Sequence, residues 1–257
     1  MMRKKILKQK DTETYLKDYY SNSDTIKGYV KTKLFPSEKI IFKKYFNPKS
    51  GILDIGCGAG RTSIALTQMG YNITAFDLVP EMINQAKLSA KNQELKINFS
   101  VKNALDMDYK KESFQNVLFS FNGIENIQGK ANREMLLRNV FEILKPGGCF
   151  IFTIRSAFAF GRRLIFWIWM VLTYPVKKII FQNKSWELGD KVRDNLFIHY
   201  LNPFYLKKYS QKIGFELLCF NSSKNILNGK KANFFTNFSN DKLIYFVLKK
   251  ENNFVRE

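Results

Sequence analysis

The chain has 257 residues, 45% of them hydrophobic, which suits one α/β domain with a sizeable core. Its three cysteines, Cys57, Cys149 and Cys219, lack C-x-x-C spacing, so the composition argues against a zinc site and a disulfide framework and is typical of a reducing cytoplasm. The net charge of +20 admits nucleic acid or an anionic membrane as a partner, but only nine of the 42 basic residues are Arg, the side chain best suited to phosphate, so the charge first indicates a solvated basic face.

Residues 1–50 precede the first predicted strand and are expected to form a helical lid. The first ten residues are basic but have no apolar segment of signal-peptide length, so we expect no export. Segments 14–20 and 36–46 have helical character, and Pro36 fits a first helical turn. Three tyrosines of the first segment either face a ligand or pack this helix onto the core: Tyr15, Tyr19 and Tyr20.

A glycine turn follows the first predicted strand, at residues 52–55. Gly56, Gly58 and Gly60 permit a tight turn and leave no side chain between the main chain and a ligand. A helix beginning at Arg61 would direct its free N–H groups at that ligand. The spacing is G-x-G-x-G, which differs from the dinucleotide G-x-G-x-x-G, and no Lys-Ser/Thr pair of a phosphate loop follows.

Two carboxylates accompany this turn. Asp54 lies just before it and suits a cationic amino group better than a pyrophosphate. Asp77 closes the second predicted strand, residues 72–77, where a carboxylate can accept hydrogen bonds from both hydroxyls of a ribose. Alternatively, Asp77 belongs to the N-cap region of the next helix and has a purely structural role. We favour the ribose role because of its spacing from Gly60.

The next strands lead to a second group of candidate ligand-binding residues. If the sheet is doubly wound, strand 114–122 is central and carries Ser120 and Asn122 at its C-terminal end, where open α/β sheets bind ligands. Glu125 lies just beyond, at the mouth of the site. The remaining elements are expected as strands at 97–101, 149–154 and 241–250, helices at about 132–144 and from Asn202, and a turn at 145–148.

Three motifs resemble those of the class I S-adenosylmethionine-dependent methyltransferases. The run D-I-G-C-G-A-G at 54–60 is similar to the family's first motif. Residues 77–86 fit its D-x-x-x-x-M-[IL]-x-x-A pattern, and L-K-P-G-G at 144–148 precedes an apolar strand as it does in the family. The resemblance implies an α/β, Rossmann-like, doubly wound sheet of seven strands in the order 3-2-1-4-5-7-6, with the last strand antiparallel, in a single domain spanning residues 1–257.

The resemblance also implies the cofactor S-adenosylmethionine, which would leave as S-adenosylhomocysteine, and no metal. In the family an Asp-Ala pair after the third strand contacts the adenine amino group. Here the pair is Asn103-Ala104, whose amide oxygen can still accept from an amine, and Asn116 replaces the Asp of the family's Phe-Asp-x-Val. The expected cofactor-binding residues are Asp54, Gly56, Cys57, Gly58, Gly60, Asp77, Leu78, Asn103, Ala104 and Ser120.

An apolar and aromatic insertion, residues 156–201, follows the fifth strand. Its uncharged run, 164–176, has thirteen residues, too short to span a bilayer. We expect it to form a cap over an apolar substrate or a buried helix, and a subunit contact is a further possibility. Contact of segment 158–181 with a membrane interface is the alternative, because Trp and flanking basic residues favour that environment.

Methyl transfer is an in-line displacement on an activated carbon, so the enzyme mainly aligns a nucleophile and excludes water. If a general base is used, the candidates are His199, the only histidine, and Glu125. Asn202-Pro203 is interpreted as a helix cap. The substrate and lid candidates are Tyr15, Tyr19, Tyr20, Asn122, Trp167, Trp169 and Tyr200.

The resemblance and the apolar insertion favour a cytoplasmic methyltransferase acting on an O, N or C nucleophile of a small-molecule or lipid-like acceptor. An RNA or other nucleic-acid methyltransferase is the first alternative, supported by the net charge. A catalytically silent S-adenosylmethionine-binding scaffold is the second. A nicotinamide oxidoreductase is disfavoured by the glycine spacing.

Overall fold

The structure, a computed structural model, describes residues 12–47, 50–181, 187–194 and 196–252. The expected basic N-terminal segment 1–10 lies outside these ranges. The helices are α1 (Thr12–Tyr20), α2 (Ser23–Lys31), α3 (Pro36–Tyr45), α4 (Arg61–Gln68), α5 (Pro80–Lys91), α6 (Lys130–Ile143), α7 (Arg162–Phe181), α8 (Pro203–Ile213) and α9 (Ser223–Leu227). The strands are β1 (Gly51–Ile55), β2 (Asn72–Asp77), β3 (Asn98–Val101), β4 (Phe114–Phe119), β5 (Leu144–Ile154), β6 (Asp190–Arg193), β7 (Leu196–His199), β8 (Phe215–Ser222) and β9 (Ile244–Lys250).

Seven of these strands form one sheet in the order β3-β2-β1-β4-β5-β9-β8. The first five run parallel, and β9 is antiparallel to both β5 and β8. Because β6 and β7 form a separate hairpin, this order is the predicted 3-2-1-4-5-7-6 counted along the sheet. The predicted fold class is therefore confirmed, and the carboxyl ends of β1, β2 and β4 meet at the edge where such sheets bind ligands.

Both faces of the sheet are buried, because alternate residues of each central strand enter different cores. In β1, Leu53 and Ile55 pack into one hydrophobic cluster and Ile52 into the other. In β5, Phe150 and Phe152 join the first cluster, which contains much of α6. Because side chains alternate between the two cores, the register of each strand is fixed. The carboxyl ends of the parallel strands therefore lie together at the ligand-binding edge.

The helix boundaries follow local capping chemistry. Asn202 accepts hydrogen bonds from the N–H groups of Phe204 and Tyr205, so its predicted role as the cap of α8 is confirmed. Helix α8 ends at Gly214, which has φ of 110°, a left-handed conformation that glycine adopts without strain. Pro36 occupies the first turn of α3, as expected, and Pro80 occupies the first turn of α5.

One predicted boundary differs. Residues 145–148 were expected as a turn before the strand, whereas β5 already begins at Leu144, which pairs with Phe114 of β4. Pairing resumes at Asn116 and Cys149, so the four intervening residues bulge out of the ladder, with Gly147 at φ of 73°. The Pro-Gly-Gly run therefore forms an irregularity within the strand.

The insertion 156–201 contains α7 and the β6–β7 hairpin. Within the described ranges, no helix is both long enough and apolar enough to cross a membrane. Other elements had not been predicted, among them helix α2, which Asn22 caps by accepting from the N–H groups of Asp24 and Thr25, helix α9, and the 3₁₀ turns Gly123–Asn126 and Phe234–Phe238.

Candidate functional site

A cavity of about 350 Å³ opens at the carboxyl ends of β1, β2 and β4, in the size range of small-molecule sites. The glycine turn forms its floor and α1 lies across it. Several predicted cofactor-binding residues line this cavity together: Gly56, Gly58, Asp77, Leu78, Asn103, Ala104 and Ser120.

The glycine turn and Asp77 are joined by a direct hydrogen bond. The Gly58 N–H donates to Asp77 Oδ2 at 2.8 Å, and the Val79 N–H donates to Oδ1 at 3.0 Å. Burial raises the pKa of the Asp77 carboxyl, and these backbone donors oppose the shift. Gly56 and Gly58 have φ of 61° and 54°, which only glycine adopts at low cost.

Asp54 lies beneath the turn, fully buried and outside the cavity lining. The hydroxyls of Thr62 and Ser63 donate to its Oδ2, each at 2.6 Å, while Oδ1 is buried without a partner. Burial raises the pKa of Asp54 to about 6, and the two hydroxyls partly offset this shift. A buried carboxylate oxygen without a donor fits the ammonium group of S-adenosylmethionine, so the residues present suit that cofactor.

The other expected cofactor contacts differ in position. Asn103 lines the cavity, but its Oδ1 accepts from the Leu105 N–H at 2.9 Å, so the oxygen expected to face an adenine amine also holds its own turn. Cys57 and Gly60 are buried behind the turn and do not line the cavity. Their positions support the turn: the Cys57 N–H donates to Phe76 O at 3.0 Å, and Gly60 is the N-terminal cap of α4 at φ of 84°.

The N-terminal helices contribute an aromatic wall. Of the three tyrosines predicted for the lid, Tyr20 lines the cavity, whereas Tyr15 and Tyr19 lie outside its lining. Tyr20 contacts Tyr29 edge to face at 5.8 Å between ring centroids, and Tyr29 contacts Phe121 in the same way at 5.8 Å. Tyr29 and Phe121 also line the cavity and were not predicted.

A buried ion pair fastens these helices to the glycine turn. Arg61, the first residue of α4, donates to both carboxylate oxygens of Glu38 on α3, at 2.6 and 2.8 Å. Its guanidinium lies 5.4 Å from the Phe35 ring centroid and 5.2 Å from that of Phe121. Burial would lower the pKa of Arg61, but Glu38 raises it, so the guanidinium stays charged. Arg61 thus aligns α3 with the cavity.

Glu125, a predicted catalytic candidate, is fully buried against Arg155. Its carboxylate accepts from the Arg155 main chain and from both Nε, at 2.7 Å, and Nη2 of the side chain. Burial would lower the pKa of Arg155, and the Glu125 charge raises it. The structure therefore places Glu125 beside Arg155 and outside the cavity lining.

His199 lies in the β6–β7 hairpin, paired with Asp190 in register. Its Nδ1 is 2.6 Å from Asp190 Oδ1, and both side chains are buried. Strand β7 packs against α1 and the Gly123–Asn126 turn, two elements that line the cavity, but His199 itself does not line it. Its catalytic role stays a prediction. The acid partner Asp190 was missed because strand pairing, rather than sequence proximity, creates the contact.

The remaining substrate candidates also lie outside the cavity lining. Trp167 contacts Phe158 at 5.6 Å, Tyr200 contacts Phe166 at 6.0 Å, and Trp169 is half exposed. Asn122 is buried and its Nδ2 donates to Lys242 O at 3.0 Å. The expectation that the insertion caps an acceptor above the cofactor therefore stays a prediction.

Gly123 gives a direct test of the cavity wall. A Cβ on Gly123 would overlap the buried Phe119 ring, which a Cβ on Gly56 would also approach to 2.8 Å. Gly123→Ala is expected to lower the free energy of unfolding by about 1–3 kcal/mol through overpacking, and to weaken cofactor binding by displacing Phe119. Gly28 is exposed on helix α2, and a Cβ added there would meet no atom within 4 Å. Gly28→Ala should therefore raise the free energy of unfolding by about 0.5–1 kcal/mol. Equal stabilities of the two variants in urea denaturation would contradict this packing.

Solved structures with this fold include a methyltransferase from Methanosarcina mazei, which covers 86% of this chain and 100% of that one at a TM-score of 0.61 and 22% identity. The CcbJ methyltransferase of Streptomyces caelestis covers 94% of this chain and 100% of that one, at a TM-score of 0.63 and 14% identity. A third similar structure is the [4+2]-cyclase SpnF, at a TM-score of 0.58 and 13% identity, covering 84% and 80% of the two chains. At these identities the likeness shows the fold alone.

Similarity in sequence to the following curated proteins covers less than half of the chain. A ubiquinone biosynthesis O-methyltransferase of Rickettsia typhi is 30% identical over 130 residues, 48% of this chain and 50% of that protein. A putative methyltransferase of Bacillus subtilis is 30% identical over 112 residues, 43% and 44% of the two chains. The chain therefore spans about half the length or less of the curated relatives it matches. Residues 52–148 match the methyltransferase domain family, on a sheet with the strand order of the class I S-adenosylmethionine-dependent methyltransferase fold.

Proposed function

We propose that this protein transfers a methyl group from S-adenosylmethionine to a hydroxyl group of a small, apolar or lipid-like acceptor. The observation that carries the proposal is the convergence of Gly56, Gly58 and Asp77 on one cavity, together with the unpartnered buried oxygen of Asp54 just before the glycine turn. These groups match a ribose and an ammonium group, and the family match covers the same segment.

The roles of the chain's own residues follow from this placement. When bound, the cofactor supplies a methyl carbon activated by a sulfonium centre. Asp77 would accept hydrogen bonds from the ribose hydroxyls, and Asp54 would pair with the ammonium group. The glycine turn allows the main chain to approach the ligand without a side chain between them. The aromatic wall of Tyr20 and Tyr29 would exclude water from the reacting atoms.

The acceptor class is supported by the lining of the cavity beyond the glycine turn. Apolar and aromatic side chains contribute to it, among them Leu16, Tyr20, Phe121 and Ile127. A small molecule with an apolar body and one reactive hydroxyl suits such walls. Several relatives are named ubiquinone biosynthesis O-methyltransferases, which supports an oxygen nucleophile.

A nucleic-acid acceptor is the second candidate, favoured by the net charge of +20. A silent cofactor-binding scaffold is the third, and the similarity to a [4+2]-cyclase illustrates that this fold also serves other chemistry. The test is incubation of the protein with methyl-labelled S-adenosylmethionine and separate lipid, small-metabolite and RNA fractions. We expect label in the lipid or small-metabolite fraction. Label only in RNA would overturn the acceptor class, and no labelled product in any fraction would favour the scaffold.

We further propose His199 as the general base, held by Asp190 and carried on β7, the strand that packs against α1 and the Gly123–Asn126 turn beside the cavity. Positioned bases typically contribute at least about 100-fold to a rate, so His199→Gln should lower kcat by about that factor. Cofactor affinity should not change, because His199 does not line the cavity. A kcat within twofold of the wild type, measured with the acceptor that the labelling experiment identifies, would remove His199 from the mechanism.

A further inference from the structure

Helix α7 presents an apolar stripe to solvent. Ile165, Ile168, Trp169 and Leu172 are 68%, 51%, 50% and 73% exposed. Their spacing of three, four and seven residues places them on one face of the helix. Four large apolar side chains exposed in a row are unusual on a soluble surface and mark an interaction site.

The opposite face of α7 packs on the domain, and this packing keeps the apolar stripe turned toward solvent. Met170 is buried, and the partly buried Phe166 and Trp167 contact the rings of Tyr200 and Phe158. Lys191 Nζ lies 4.4 Å from the Phe166 ring centroid. Because the inward face already packs on the domain, the helix cannot turn its stripe inward without losing these contacts.

An exposed aromatic pair outside α7 adds to the apolar stripe. Phe234 and Phe235, in the 3₁₀ turn Phe234–Phe238, are 64% and 66% exposed. Ring contacts join the turn to α7: Phe238 lies 5.5 Å from Phe234 and 6.4 Å from Phe158, the ring that also contacts Trp167. We call the four α7 side chains together with Phe234 and Phe235 the apolar surface.

The sequence on either side of the apolar surface is basic. The sequence of α7 contains no acidic residue, and it carries Arg162-Arg163 in its first turn and Lys177-Lys178 in its last turns. Lys230 and Lys231, both exposed, lie four and three residues before Phe234. A partner that covers this surface must therefore combine an apolar phase with negative charge.

We propose that the apolar surface inserts into the interface of an anionic lipid membrane. Trp, Phe and aliphatic side chains enter the boundary between headgroups and acyl chains, while neighbouring Lys and Arg contact anionic headgroups. An acidic protein would satisfy the charge, but it would not need six exposed apolar side chains distributed over a helix and a separate turn. The proposal does not depend on methyl transfer, because membrane binding requires neither the cofactor nor the acceptor.

The test is co-sedimentation of the full chain with vesicles of phosphatidylcholine containing phosphatidylglycerol, and with vesicles of phosphatidylcholine alone. We expect binding to the anionic vesicles, weakened severalfold at 0.5 M salt, and a blue shift of tryptophan emission on binding. Ile168→Asp combined with Leu172→Asp should lower the vesicle partition coefficient by at least about tenfold, since each substitution removes apolar insertion and adds repulsion. Both positions are exposed, so thermal unfolding should be unchanged.

Leu88→Asp is the matched control, because Leu88 is an exposed leucine on α5, 52% accessible, and outside the apolar surface. It should bind vesicles like the wild type. Lys230→Glu with Lys231→Glu should weaken binding to anionic vesicles without altering the fold. The proposal is overturned if the wild type does not bind anionic vesicles at low salt, or if the α7 variant binds them as well as Leu88→Asp does. Dimerisation of the wild type that only the α7 variant abolishes, with no vesicle binding, would assign the surface to a second copy of this chain.

Discussion

Asp77→Ala is expected to weaken the binding of S-adenosylhomocysteine by about 100-fold or more. The carboxylate would accept hydrogen bonds from two ribose hydroxyls, and each bond to a charged group contributes about 1.5–3 kcal/mol. A total of about 3 kcal/mol corresponds to about two orders of magnitude in affinity. The variant also loses the acceptor of the Gly58 N–H, so the glycine turn becomes less ordered.

Calorimetric titration measures this effect, with Asp106→Ala as the matched control. Asp106 is exposed on the loop after β3 and does not line the cavity, so its loss should leave the affinity unchanged. Asp77→Asn should fall between the two, because an amide retains one acceptor oxygen. An Asp77→Ala variant that binds S-adenosylhomocysteine within threefold of the wild type would refute the ribose role.

Asp54→Asn is expected to change stability and cofactor affinity in opposite directions. Burial raises the pKa of Asp54 to about 6 from 3.8, so ionising this group in the folded protein costs about 3 kcal/mol at neutral pH. An Asn side chain can accept from Thr62 and Ser63 as the carboxylate does, without carrying that charge. The variant should therefore be more stable than the wild type at pH 7, and it should bind S-adenosylhomocysteine at least about tenfold more weakly because the ammonium loses its counter-charge.

The pH dependence follows from the same shift. Between about pH 4 and 6 the folded wild type keeps a proton on Asp54 that the unfolded chain has released, so its free energy of unfolding falls as the pH rises through this window. Above pH 6 the folded protein bears the full free-energy cost of ionising Asp54. In Asp54→Asn this fall should be missing, and the two proteins should differ least near pH 4.

Urea denaturation at pH 4.5 and 7.5 measures this difference. Ser50→Ala removes a half-buried hydroxyl that accepts from Asn116 Nδ2 at 2.6 Å, and it should follow the wild-type pH profile because that hydroxyl carries no titrating proton. If Asp54→Asn is less stable than the wild type at pH 7.5, the buried carboxylate does not carry the cost assigned to it.

The sheet and the cofactor half of the site were predictable because their signals are local in the sequence. The apolar strand 52–55, the glycine turn and the acid that closes β2 are each recognised from a run of only a few residues. Such short patterns can be recognised from the sequence alone, because they do not depend on contacts with distant segments. The seven-stranded order followed from the family resemblance that these motifs carry.

The rest of the site depends on contacts between distant segments. Asp190 meets His199 only because two four-residue strands pair, and neither strand has a strong pattern of its own. Phe121 joins Tyr29 through the packing of α2 over the end of β4. The sequence of α7 is apolar on nearly all sides, so only the packing of Met170 and Trp167 decides that Trp169 faces outward.

The account rests on the cavity at the ends of β1, β2 and β4 being a site for S-adenosylmethionine, and a paired titration tests this most directly. Calorimetry of the full chain with S-adenosylhomocysteine and with NADH compares the two ligand classes that this edge of a doubly wound sheet can hold. We expect one equivalent of S-adenosylhomocysteine to bind, with the affinity lost in Asp77→Ala, and no binding of NADH. Binding of NADH in place of S-adenosylhomocysteine would contradict the assignment.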